Sequence, residues 1–314
     1  MEKNVFYRKI FLLILILSGL CMMLDVISLD GFGRSIVAEY TNSQDYISES
    51  VGSDEIKPYI KKVQNNDHST KLIIGDSVCN QMMDSLQPLN EDICIAGTNS
   101  AIALTGQYIL AKEYIENHEK ISDIYMFLLP GSLEVTFTTT LGYQYEIMPF
   151  VETDTIQLLD SDTLEKMQSV YGKWFMRREI VEWIDKSAIN RKIYLNMLDR
   201  YSHSYQQLSR YEIADQYLKK IYDLCDEKDI KLHLIPCPVP ESQREYMENK
   251  KADYQVTWMY EKFPEYMEKI LYIPDNEFKD GVHFGGEYAT QECYNEKIKV
   301  LFADTTLIQD LKLN

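Results

Sequence analysis

Leu72-Ile-Ile-Gly-Asp-Ser77 reads as a short buried strand that runs straight into a turn presenting a serine. About two hundred residues further on, Asp280-Gly-Val-His283 sets a carboxylate and an imidazole three positions apart. A hydroxyl becomes a nucleophile when a base takes its proton, and the base needs an acid to orient it. The two segments together therefore hold the parts of a Ser-His-Asp site, and neither half means much alone.

Around the first segment, short apolar runs alternate with longer helical patterns. Leu72 to Ile74, Ile93 to Ala96, Ile124 to Leu129, Leu232 to Ile235 and Ile270 to Ile273 have the length and composition of strands. Val78 to Leu86, Ala101 to Glu116, Ile213 to Cys225 and Glu287 to Phe302 have helix-compatible spacing. Strands separated by helices imply right-handed crossovers, so the spacing predicts an α/β domain of three α/β/α layers with a parallel sheet of about five strands. In such sheets ligands sit at the carboxyl ends of the strands. Ser77, Gly97 to Ser100, Pro130 to Ser132 and Pro236 to Pro240 all follow strand candidates directly and are expected to converge at one edge.

Residues 133–210 break this rhythm. They are too many for an ordinary crossover, open with the Thr-rich aromatic run from Val135 to Phe150 and turn helical from about Asp162. Such an insertion is expected over the catalytic edge as a lid or acceptor platform. Tyr143, Tyr145, Trp174 and Trp183 are its candidates for stacking on sugar rings, against ordinary packing within a helical subdomain.

The net charge of -17 argues against nucleic acid as a partner, because phosphate backbones are held by clustered Lys and Arg and no basic stripe occurs. His118, His203 and His233 share no ligand spacing, and Gly31-x-Gly33 precedes no strand-helix unit, so neither a metal nor a dinucleotide cofactor is expected. The six cysteines, Cys21, Cys79, Cys94, Cys225, Cys237 and Cys293, lack metal-site spacing. They read mostly as small buried apolar residues, with some pairing left open.

At the N-terminus, Phe11 to Leu29 is a run of 19 almost continuously apolar residues interrupted by Asp25, with Lys3, Arg8 and Lys9 before it. That length just spans a bilayer, and the basic flank sets the N-terminus inside. The expected order is a cytoplasmic segment over residues 1–9, a single transmembrane anchor over 10–29, an extracytoplasmic stem over 30–70 and the α/β domain over 71–314. A cleaved signal peptide is the main competitor, although no small-residue cleavage site follows the run.

Gly75-Asp76-Ser77 after an apolar strand, followed downstream by Asp280-x-x-His283, resembles the SGNH (GDSL-type) hydrolase superfamily over roughly residues 70–305. With the N-terminal anchor, the likeness extends to its membrane-tethered branches, the DltD-like proteins of teichoic-acid D-alanylation and the AlgJ/AlgX-like polysaccharide O-acetyltransferases. The resemblance implies Ser77 as nucleophile, His283 as general base and Asp280 as its orienting acid. It also implies an oxyanion hole from the Ser77 and Gly97 N–H groups, since Ala96-Gly-Thr-Asn-Ser100 stands in the place of the family's second block. The family usually adds an asparagine from a GxND-like block after the next strand, where this chain has Leu129-Pro-Gly-Ser132. Asn99 or the Gly131 N–H is left to supply that donor. The function implied is transfer or hydrolysis of an acyl group, acetyl or D-alanyl, on a cell-envelope glycan, with a polytopic acyltransferase partner. A scaffold subunit that keeps the fold without turnover is the alternative.

Overall fold

The computed structural model describes residues 9, 11–13, 16–20, 53–83, 86, 92–137, 142–185 and 210–313. The first described element of the domain is helix α1, Ser53–Gln64, in the stretch expected to be a stem. Ile56, Ile60 and Val63 recur on one face at helical spacing and are buried in the main core, so this half of the stretch packs on the domain.

Strand β1, Lys71–Gly75, leads into the short helix α2, Ser77–Met83. Strand β2, Ile93–Gly97, helix α3, Leu104–Asn117, and strand β3, Asp123–Leu128, follow. All three strands are apolar in nearly every position, because a parallel sheet covered on both faces leaves no wet side. The period of two still sorts them: Leu72 and Ile74 join a cluster with α1 and α3, while Ile73 joins α2 on the opposite face.

Within the inserted region, α4 spans Met148–Glu152, α5 Ser161–Tyr171 and α6 Arg178–Asp185. Helix α7, Glu212–Asp226, then feeds strand β4, Lys231–Pro236. The main sheet is four-stranded, entirely parallel, in the order β2-β1-β3-β4. The chain turns one way from β1 to β2 and the other way to β3, which makes the crevice between β1 and β3 the topological switch point.

The fifth expected strand does not join this sheet. Val239–Pro240 forms β5 and Tyr272–Ile273 forms β6, and these two pair in parallel as a separate two-stranded sheet. The physical reason is proline: Pro236, Pro238 and Pro240 have no N–H to donate to a ladder, so the chain leaves the sheet edge after β4. Between the two short strands lie α8, Arg244–Gln255, and α9, Trp258–Lys262. Helix α10, Gln291–Leu301, closes the second face, where Tyr294, Ile298 and Phe302 pack with Ile73, Phe127 and Ile235. The result is α/β/α layering about a parallel sheet.

The described part of the insertion is built into the first core cluster. Phe150 lies so close to α3 that a Cβ on Gly106 would stand 2.8 Å from its ring. Tyr143 is fully buried and donates its hydroxyl to Phe175 O at 2.8 Å, so it serves packing rather than sugar stacking. Tyr145 is half-buried, and Trp174 and Trp183 are exposed. Among the described residues no helix is long and apolar enough to cross a membrane. Residues 11–13 and 16–20 of the N-terminal apolar run are helical and exposed, and the rest of the expected anchor, together with residues 30–52 of the expected stem, lies outside the described residues.

Candidate active site

Two glycines let the nucleophile turn form. A Cβ on Gly75 would run into Phe127 O and stand 2.5 Å from Cys79 Cβ, and one on Gly97 would stand 2.5 Å from Cys79 Sγ. The first turn of α2 therefore rests directly on the ends of β1, β2 and β3, an approach closed to any larger residue at those two positions.

Asp76, fully buried, locks this junction. Its Oδ1 accepts the Val78 N–H at 3.0 Å, capping α2, while its Oδ2 accepts the Leu129 N–H at 2.6 Å and the Ser132 hydroxyl at 2.7 Å. One carboxylate thus ties the exits of β1 and β3 together across the switch point. Burial pushes its carboxyl above the usual range against the pull of these donors. Capping by Asp76 and display of Ser77 are compatible: with Asp76 bound to the backbone, the half-buried Ser77 side chain is left to face outward.

His283 comes from a loop that folds on itself. Phe278 and Phe284 form an isolated antiparallel bridge, and the Lys279 N–H donates to His283 O at 2.8 Å. Gly281 takes the left-handed region, φ 79°, that lets the chain reverse. Asp280 Oδ1 accepts the N–H groups of Val282 at 3.0 Å and His283 at 2.7 Å, an Asx turn that leaves Oδ2 for the ring, 2.9 Å from His283 Nδ1. Burial alone would push the Asp280 carboxyl up, but its bonds to the His283 backbone and ring and to the Val282 N–H hold it below the ordinary value.

Ser77 and His283 meet. His283 Nε2 stands 2.9 Å from Ser77 Oγ across 206 residues of chain. An ionised Asp280 accepts only, so Nδ1 carries the proton and the Nε2 lone pair receives the Ser77 O–H. The three side chains of the two motifs are thus brought together in space, at the switch-point end of the sheet.

What holds the loop against α2 was not visible in the motifs. Gln81 donates from Nε2 to Phe284 O at 2.9 Å and accepts the Phe284 N–H on Oε1 at 3.0 Å. Gln81 lies four residues after Ser77, so both project from one helix face and grip successive residues of the base loop. That spacing is the only signal by which the sequence marks it. Asp76 and Ser132 carry no such signal as a pair, because only the sheet brings them together.

The oxyanion candidates separate. Gly97 ends β2, and Thr98 N–H rather than its own closes the ladder onto Gly75 O, at 3.1 Å. Alternation in a parallel ladder turns the Gly97 N–H away from β1. Asn99 is exposed; its Oδ1 accepts from Asn80 Nδ2 at 3.2 Å, and Asn80 Oδ1 in turn accepts the Tyr59 hydroxyl at 3.0 Å. Ser132, in the place of the missing asparagine block, is buried and spent on Asp76.

The remaining groups have structural partners. His233 stacks on Tyr125 and lies 2.8 Å from Asp123, and His118 sits 2.9 Å from Tyr114 O; His203 lies outside the described residues. Cys79, Cys94, Cys225, Cys237 and Cys293 are all unpaired, and all but Cys293 are buried. Burial pushes the Cys94 and Cys225 thiols up to about 12 and those of Cys79 and Cys237 well above their ordinary value. Among the described residues no group of three or more His, Cys, Asp or Glu side chains is placed to hold a metal ion.

A scan against protein-family models matched none, and searches of the curated proteins and of the solved structures returned no match.

Proposed function

We propose that this protein is a serine acyltransferase or esterase of SGNH type, in which Ser77 takes an acyl group and passes it to a hydroxyl of a cell-envelope glycan or to water. The observation that carries the reading is the hydrogen-bonded line Ser77 Oγ, His283 Nε2, His283 Nδ1, Asp280 Oδ2, with both gaps 2.9 Å. Ser77 Oγ attacks the ester carbonyl carbon as His283 Nε2 takes its proton. The new C–O bond forms, the old one breaks, and the leaving oxygen collects the proton from His283. A second hydroxyl then repeats the sequence in reverse roles and releases Ser77. The Gly97 N–H, free of the β1 ladder, and the Asn99 amide are the donors we assign to the oxyanion.

Acetyl and D-alanyl are the acyl groups the resemblance suggests, and the N-terminal apolar run would anchor the chain by a single span with the domain outside the cell membrane. A polytopic acyltransferase that supplies the acyl group fits that placement. The scaffold reading draws on one specific observation: Ser132 is consumed by Asp76 where an oxyanion donor is expected.

Labelling with a serine-directed fluorophosphonate decides between them. Capture at Ser77, abolished in Ser77→Ala and strongly reduced in His283→Ala, is the expected result; folded protein that takes no label is a scaffold. Acyl release measured with and without a glycan acceptor then divides transferase from esterase.

A further inference from the structure

A cavity of about 260 Å³ is lined by residues that neighbour the site, Leu129 to Gly131 after β3 and Gly281 and Val282 of the loop that carries His283. Leu129 and Pro130, on the loop that Asp76 clamps, line it together with Val282, which lies between Asp280 and His283 in the chain. Val239, Pro240 and Met247, all buried, line it as well, so the proline-rich exit of β4 that misses the main sheet shapes this space. At ~30 Å³ for each water-sized group, the volume admits about eight such groups, far more than the methyl of an acetyl ester.

Among the described residues Glu134 is the single carboxylate lining the cavity. Its Oε2 is held by Lys250 Nζ at 2.7 Å and by Arg210 Nε at 3.2 Å, with the Tyr246 hydroxyl at 3.4 Å, and Arg210 also pairs with Asp253 at 2.9 Å. Two cations and two carboxylates pair off at this rim. An ammonium group entering the cavity would lose water and meet a carboxylate already neutralised.

We infer that this cavity is the acyl subsite of the Ser77 centre and that it takes an uncharged acyl chain longer than acetyl, in preference to an aminoacyl group. The inference rests on Ser77 being the nucleophile. The acyl carbon bonds to Ser77 Oγ as in the scheme above, and the chain beyond it lies along Leu129, Val239, Met247 and Val282. Met247 and Val239 are then specificity-determining residues.

The test uses the full 314-residue chain and p-nitrophenyl esters of acetate, propanoate, butanoate, hexanoate and D-alanine. We expect kcat/KM to rise about two- to fourfold per methylene up to hexanoate, the gain that burying apolar surface supplies. Propanoate and D-alanine differ only by an ammonium group, and the D-alanyl ester should be at least about tenfold slower. Met247→Ala should shift the optimum to longer chains, with circular dichroism checking its fold. Fluorophosphonate capture is run on the same samples. Capture at Ser77 with rates that are flat or fall from acetyl upward, or a D-alanyl rate matching propanoyl, overturns the subsite and leaves the nucleophile standing. Folded protein with neither capture nor release overturns both.

Discussion

The two halves of the triad are held by opposite means. Ser77 stands on a junction of three buried strand ends, locked by one carboxylate and by two glycines that admit no side chain. His283 stands on a loop whose Asp280 is exposed and whose shape comes from bonds within the loop and from two glutamines, Gln81 of α2 on Phe284 and Gln243 on Gly281 O. Ser77 is positioned by packing and His283 by hydrogen bonds, so under the proposed function damage to the first should appear as lost stability and damage to the second as lost reactivity. Three of the following four substitutions each strike one side.

The largest effect is expected on the exposed side. Asp280→Asn keeps an acceptor for the Asx turn but removes the charge that fixes the tautomer of His283, and fluorophosphonate capture should slow by about 10³- to 10⁴-fold with little change in Tm. Equal losses of reactivity and stability would show that the base loop is structural after all. On the packed side, Gly75→Ala forces a Cβ into Phe127 O and Cys79, which should cost about 3 kcal/mol or more in denaturant unfolding. A variant as stable as the parent would refute the close approach of α2 to the sheet.

A smaller effect tests how the insertion is fastened. Asp160 caps α5 through the Thr163 N–H at 2.9 Å and accepts from Tyr217 at 2.8 Å and from Lys220, both on α7. Against a burial that raises it, these donors, Lys220 foremost, hold its carboxyl well below the ordinary range. A depressed folded-state pKa contributes stability that is present above the unfolded value of about 4 and lost as pH falls below it. Asp160→Ala should therefore cost about 1–2 kcal/mol at neutral pH, and the gap to the parent should narrow in acid unfolding between about pH 4 and pH 2. A gap independent of pH would assign the loss to packing alone.

Gln81→Ala sharpens the contrast further. It removes two bonds to Phe284 without touching the core, and capture at Ser77 should fall by about tenfold while Tm drops by only a few degrees. The mildest expectation concerns the thiols. Native-state iodoacetamide followed by peptide mass analysis should modify Cys293 and spare Cys79, Cys94, Cys225 and Cys237, since thiolate is the reactive form and burial suppresses it in all four. Rapid modification of Cys79 or Cys237 would mean that the junction under Ser77 opens.

How much was legible in the chain itself follows the same division. Local patterns carry local information: the apolar runs at Leu72, Ile93, Ile124 and Leu232 mark four strands because buried parallel strands have no polar alternation to disguise them. Spacing along one turn or one helix likewise marks Asp280 with His283. The run at Ile270 to Ile273 was equally apolar yet pairs outside the sheet, because strand partnership depends on where the preceding prolines send the chain. For Tyr143 the sequence allowed either sugar stacking or packing within a helical subdomain, and its burial settles it as core, since burial is decided by neighbours that sequence distance conceals.

The residues themselves therefore determined the α/β class, the serine at a strand end and the acid-base pair in a reversing loop, all of them consequences of chemistry within a few positions. Only the tertiary structure decided that Ser77 and His283 share a proton's distance, that Asp76 joins β1 to Ser132 and Leu129, that Gln81 grips Phe284 and that Leu129 and Val282 line one cavity. Each of those is a contact between segments far apart in sequence, and such contacts exist only once the sheet has fixed where its strands end.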